Sequence, residues 1–130
     1  MEFVRIEKLD PHKLYKVCQI TIDGKPLIYF VEDSRGCYHK NILNEVLTLN
    51  ALPHTVIRKL GDEGYTFHGE GFVIEGMGGA KLLSEKNILL FGNSANYNMS
   101  ISKTHVEKYM RSNPEWEFKI PSNPRKSLAS

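Results

Sequence analysis

From Leu14 to Ile22 the chain reads Leu-Tyr-Lys-Val-Cys-Gln-Ile-Thr-Ile, a run rich in β-branched and aromatic strand formers. Asp23-Gly24 follows at once, a pair suited to the positive backbone angles of a two-residue hairpin turn, and Pro26-Leu27-Ile28-Tyr29-Phe30-Val31 supplies the returning strand. This hairpin commits the first quarter of the chain to antiparallel sheet, and everything after it must pack against that sheet. With 130 residues the chain has room for one domain and one core, which buries roughly two-thirds of the surface the unfolded chain exposes.

The other elements are read from spacing. Val4-Arg5-Ile6-Glu7-Lys8 alternates apolar and polar and predicts a first strand, broken by Asp10-Pro11. Ile42, Leu43, Val46, Leu47 and Leu49 recur at helical spacing and predict a helix from about Tyr38-His39-Lys40 to Asn50. Pro53, with Val56, Ile57 and Leu60 behind it, predicts a second, short helix ending near Gly61. Seven of the ten glycines fall between Gly61 and Gly79, which points to turns and bent strands around Phe72-Val73-Ile74. Asn87 to Gly92 is a short apolar run that predicts a buried central strand. Thr104 and Glu107 have capping-box spacing at the start of a helix stopped by Pro114, and Trp116, Phe118 and Ile120 alternate as a closing strand. A polar, Pro/Ser-rich tail completes the chain from Pro121 to Ser130. Irregularly mixed strands and helices with an early hairpin indicate an α+β class: a single domain over residues 1–120, a mixed β-sheet with flanking helices, and a flexible tail over 121–130.

Charge and composition exclude several partners. The 17 basic and 15 acidic residues leave a net charge of +2, and Arg125 and Lys126 in the tail account for it. The domain is formally neutral, so no nucleic acid is expected as a partner. The chain has neither an apolar run of membrane length nor a signal-peptide start, so no membrane partner is expected and a soluble, cytoplasmic monomer is the reading. Cys18 and Cys37 are then expected as reduced thiols.

Five histidines are present, His12, His39, His54, His68 and His105, and no two have the spacing of helical metal ligands, so neither a metal nor another cofactor is expected. Gly76-Met77-Gly78-Gly79-Ala80-Lys81 has neither phosphate-loop nor dinucleotide spacing and reads as a glycine-rich turn. His39 is placed where a loop enters a helix. There, free N–H groups suit a phosphate and the dipole favours a neutral, proton-accepting imidazole.

Three segments, Tyr38-His39-Lys40-Asn41-Ile42, Gly78-Gly79-Ala80-Lys81 and Phe91-Gly92-Asn93-Ser94-Ala95-Asn96-Tyr97, together resemble the janus/ocnus family of phosphohistidine phosphatases, in the same order. Leu14-Tyr15-Lys16-Val17, Glu107-Lys108 and Pro114-Glu115-Trp116-Glu117 extend the resemblance over most of the chain outside the tail. It implies a phosphohistidine-phosphatase-like fold and metal-independent hydrolysis of phosphohistidine, in a protein or a small phosphoramidate. By the same resemblance His39 acts as base, Lys16 and Lys81 hold the phosphoryl group, and the N–H of Lys40 with the loop Ser94-Ala95-Asn96 completes the cradle. A phosphate-binding module that keeps the pocket without turnover is the alternative.

The sequence departs from the family at Asn41, where the family has Asp, and at Lys81, where it has Arg. It also lacks an arginine between Leu27 and Val31. The chain between His39 and Gly78 is longer than the family's by more than a dozen residues, which makes His54 the rival position for the base. His39 is preferred because Tyr38 and Ile42 beside it also match.

Overall fold

The computed structural model describes residues 2–34, 38–58, 65–94 and 99–121, and for 54–58, 65–68 and 93–94 the backbone alone. Within these, a short strand β1 (Phe3–Val4) precedes a 3-10 turn at Ile6–Lys8. Of the alternation at Val4 to Lys8 only Val4 is therefore in a strand, and Ile6 to Lys8 are in the 3-10 turn. Pairing with the hairpin stops at Val4, opposite Phe30, and the chain then coils.

β2 (Tyr15–Ile22) and β3 (Lys25–Glu32) form the expected hairpin in unbroken register from Tyr15 opposite Glu32 to Ile22 opposite Lys25. Both turn residues have positive φ, 50° at Asp23 and 77° at Gly24, matching the right-handed strand twist. α1 (His39–Leu49) buries Ile42, Leu43, Val46 and Leu47 of the helical stripe read from the sequence, together with His39, whereas Leu49 at the end of the stripe is exposed. It closes with Leu52 N–H donating to Leu47 O at 2.9 Å and Ala51 N–H to Thr48 O at 3.0 Å, with Ala51 left-handed at φ 54°.

The segment after Pro53 corrects the second-helix expectation. It is a strand, β4 (His54–Arg58), paired with β5 (Tyr65–Gly69) in a two-stranded sheet of its own. Thr55, Val56 and Ile57 are consecutive β-branched residues, whose strand preference outweighs the weak helical spacing. The predicted end of that helix at Leu60 and Gly61 lies outside the described residues.

β6 (Phe72–Ser84) is the longest strand, and β7 (Asn87–Phe91) folds back on its second half. Two short strands, β8 (Asn93–Ser94) and β9 (Met99–Ser100), pair with each other, and α2 (Lys103–Ser112) and β10 (Glu117–Lys119) complete the chain. The main sheet has six strands in the order β1-β3-β2-β6-β7-β10, antiparallel except for the parallel pair β7 and β10, so the mixed α+β sheet of a single small domain is as expected. β7 has neighbours on both sides but is next to the edge, and β2 and β6 are the central pair. Among the described residues no helix is long and apolar enough to cross a membrane. Cys18 is buried and not in a disulfide, whereas Cys37 and the tail from residue 122 lie outside the described residues.

Side-chain alternation on β2 separates two cores. Tyr15 and Val17 pack with Val106 of α2, Leu90 and Trp116, while Cys18 and Ile20 pack with α1 through Ile42, Leu43, Val46 and Leu47. One helix thus covers each face of the sheet. A bulge keeps β6 in phase with this division: Gly76 stands opposite Gln19 and Ile74 opposite Ile20, with Glu75 as the extra residue.

The glycine-rich segment is another correction, because Gly76 to Lys81 lies inside β6 rather than in a turn. Its glycines permit close approach. A Cβ on Gly76 would overlap Gln19 Oε1 and meet Ser100 O at 2.7 Å and Ser102 N at 2.9 Å. Gln19 is fully buried there. Its amide accepts from Ser102 N–H at 2.8 Å, donates to Ser102 O at 3.0 Å and lies 3.2 Å from His105 Nδ1, while His105 Nε2 lies 3.2 Å from Ile20 O. The helix is capped by Ser102, whose Oγ accepts from His105 N–H, so α2 starts earlier than the Thr104 box implied.

Ile20 O can only accept, so His105 Nε2 carries the proton and Nδ1 accepts from Gln19. Burial pushes this imidazole below its ordinary 6.5. The unfolded chain therefore takes up a proton near pH 6.5 while the folded one stays neutral. The His105 contribution to stability should be complete above that pH, fall as pH drops toward the folded value, and level off below it. Urea unfolding at pH 7.5 and 5.5 checks this, with His105→Asn expected to reduce the difference.

Candidate active site

Lys16 stands on the α1 side of β2, opposite Val31 on β3 and Gly79 on β6. Strand lysines usually reach into solvent, but here the side chain is 23% exposed. Its Nζ lies 3.7 Å from Asp33 Oδ1 and 5.4 Å from the centre of the Tyr38 ring. Asp33 is fixed at its backbone: its N–H donates to Leu14 O at 2.9 Å, one step past the β2–β3 ladder. The chain thus holds a carboxylate beside the lysine just past the end of β3.

His39 is the first residue of α1 and is 9% exposed. The helix start ahead of it is capped from within, with Tyr38 N–H donating to Asn41 Oδ1 at 3.3 Å. Asn41 performs the cap that a carboxylate at the third helical position would perform, without its charge. Across from the helix, His39 Nε2 lies 3.0 Å from Gly78 O. Pairing between β6 and β7 begins at Gly79, so Gly78 sits just outside that ladder and its carbonyl takes a side-chain donor. Because a carbonyl accepts only, Nε2 carries the hydrogen, and in the neutral ring Nδ1 is left as the acceptor.

Burial is the main force lowering the His39 pKa from its ordinary 6.5. The bond to Gly78 O opposes it, the Lys16 charge lowers it further, and Asp33 raises it. The Lys16–Asp33 pair lies next to this helix start, with Lys16 Nζ 5.4 Å from the ring of Tyr38, the residue before His39.

Gly79 carries no side chain where the Phe91 ring lies: an added Cβ would be 2.9 Å from Phe91 Cε2 and Cζ. Lys81, two residues on and on the same face of β6, donates from Nζ to Pro11 O at 3.2 Å, toward the approach to β2. Lys40 is the second residue of α1, with an exposed side chain, on the turn whose backbone N–H groups point out of the helix start. Ser94 ends β8, its backbone paired with Met99. Ala95 and Asn96 lie outside the described residues, as does the part of the cradle assigned to them.

Of the residues singled out from sequence, His39 and Lys16 are thus brought together, and Lys40 follows His39 on the helix. His54, the rival, starts β4 with its backbone opposite Gly69. Asp33 and the Gly78 carbonyl were missed. No sequence signal distinguishes a backbone acceptor, and Asp33 sits in a polar loop where an acidic residue is unremarked. Searches against protein-family models and curated proteins give no match for this chain.

Proposed function

We propose that the protein is a hydrolase of phosphohistidine or another phosphoramidate, in proteins or small molecules, with His39 as the general base. The observation that carries this reading is the His39–Gly78 contact, which spends Nε2 on a carbonyl and leaves Nδ1 of a neutral imidazole as the proton acceptor, at a helix start whose Tyr38 ring lies 5.4 Å from Lys16 Nζ. Water attacking phosphorus would give its proton to Nδ1 as the P–O bond forms and the P–N bond breaks. Lys16, the first N–H groups of α1 with that of Lys40, Lys81 and the Ser94-Ala95-Asn96 loop would face the phosphoryl oxygens, where charge and N–H donors stabilise the transition state.

The janus/ocnus resemblance supports the same assignment. The β4–β5 pair lies in the long stretch between His39 and Gly78, and the His39–Gly78 contact forms across it. That supports His39 over His54. The alternative, a phosphate-binding module, would bind phosphate and phosphohistidine without releasing phosphate.

The pH profile tests the role of His39. A base must be neutral before attack, so kcat/KM should rise with pH and reach its plateau with an apparent pKa below 6.5, the direction set by burial. Lys16→Ala should move that pKa upward, because the Lys16 charge holds it down, and should raise KM through weaker phosphate binding. A pKa that stays in place when Lys16 is removed would separate the lysine from the base.

A further inference from the structure

We propose that Asp33 makes this site selective for phosphoryl groups carried on a basic nitrogen over phosphate monoesters. The inference rests on the hydrolase reading above and specifies its substrate class. Its basis is the placement of a carboxylate where an anion site would be expected to exclude one: Asp33 Oδ1 is 3.7 Å from Lys16 Nζ, on a backbone tied to Leu14.

A phosphoryl group seated on Lys16 has to share that ammonium with Asp33. Two negative groups then lie against one cation, and the second weakens the binding of the first. A monoester brings only negative charge and meets this repulsion in full. A phosphoramidate of histidine, lysine or arginine carries, when protonated, an imidazolium, ammonium or guanidinium directly bonded to phosphorus. Its cationic part can face Asp33 while its oxygens face Lys16, so the pair Lys16–Asp33 matches the substrate's own charge separation. Asp33 is 45% exposed at its side chain, open to an incoming group rather than locked in the core.

The same placement favours the reactive form. With the distal nitrogen of phosphohistidine protonated, attack by water forms the P–O bond and the P–N electron pair returns to the ring, which leaves as neutral imidazole. The water proton goes to His39, and inorganic phosphate is the other product. Asp33 touches neither bond in this step; it holds the protonated leaving group in place and is a positioning and specificity residue.

The test compares the wild-type chain with Asp33→Asn and Asp33→Glu. Two quantities are read: kcat/KM for phosphohistidine relative to p-nitrophenyl phosphate, and the affinity for inorganic phosphate by calorimetry. Asp33→Asn should bind inorganic phosphate about three- to tenfold more tightly, as expected for removing one charge at this range, and should lose a similar factor of preference for phosphohistidine. Asp33→Glu, which keeps the charge, should retain the wild-type preference. Unchanged preference and unchanged phosphate affinity in Asp33→Asn, with an active wild type, would overturn the role of Asp33 and leave the hydrolase reading intact. If the wild type releases no phosphate from phosphohistidine, the hydrolase reading falls instead. The phosphate affinity then decides alone whether Asp33 opposes anions at Lys16: tighter binding sustains that, and equal binding removes it.

Discussion

Replacing His39 with alanine should lower phosphohistidine hydrolysis by about 10²- to 10⁴-fold, the usual contribution of a positioned general base. Phosphate affinity should stay close to wild type, because Lys16 and the helix start still face the anion. The variant also loses the donor to Gly78 O, and leaving that carbonyl unpaired should cost about 1–3 kcal/mol of stability. Activity is therefore to be compared at a temperature where both proteins are folded, as judged by circular dichroism. The paired control is His54→Ala, whose histidine begins the separate β4–β5 hairpin and should leave the rate near wild type. A dead His54 variant beside an active His39 variant would move the base to the hairpin and require the site to be rebuilt there.

Gly78→Ala should damage both fold and site. A Cβ there would overlap the Phe91 carbonyl oxygen and come within 2.8 Å of Ile101 Cδ1 and 2.9 Å of Ile101 Cγ1. Neither neighbour can easily give way. Phe91 pairs with Gly79 at the end of the β7 ladder, and Ile101 belongs to the buried core between the sheet and α2. With β2 paired along the other edge of β6, relief requires a backbone shift, and overpacking of this kind costs about 1–3 kcal/mol, with a fall in Tm on the order of 10 °C. The shift also moves the carbonyl that fixes the tautomer and aim of His39. Hydrolysis should therefore fall by more than the folded fraction does, and a variant that loses stability but keeps full specific activity would show that the carbonyl does not position the base.

The parts of this molecule that were legible in sequence are those encoded locally. Asp23-Gly24 between two β-rich runs specifies a hairpin without reference to anything distant, and the spacing of Ile42, Leu43, Val46 and Leu47 specifies the buried face of α1. The misreadings occur where distant contacts decide. Gly76 to Gly79 looks like a turn until Gln19, Ser100, Ser102 and Phe91 are seen pressed against it, because only then does the missing Cβ become a packing requirement inside a strand. Thr55-Val56-Ile57 fits a weak helical pattern as well as a strand, and pairing with Tyr65–Gly69 selects the strand. The N-terminal alternation yields only one paired residue, Val4, because the ladder with β3 ends there.

The site divides in the same way. His39 at a helix start and Lys16 on a neighbouring strand could be named from their residue types and from the family resemblance. The carbonyl that orients His39 and the carboxylate beside Lys16 depend on long-range register and on the path of the chain after β3, which no residue spacing encodes.

The most direct test of the account is release of inorganic phosphate from phosphohistidine by the purified chain in the presence of a metal chelator, measured beside His39→Ala. The account predicts steady release by the wild type, undiminished by the chelator, and almost none by the variant. Tight binding of phosphohistidine with no release, or equal release by both proteins, would contradict it.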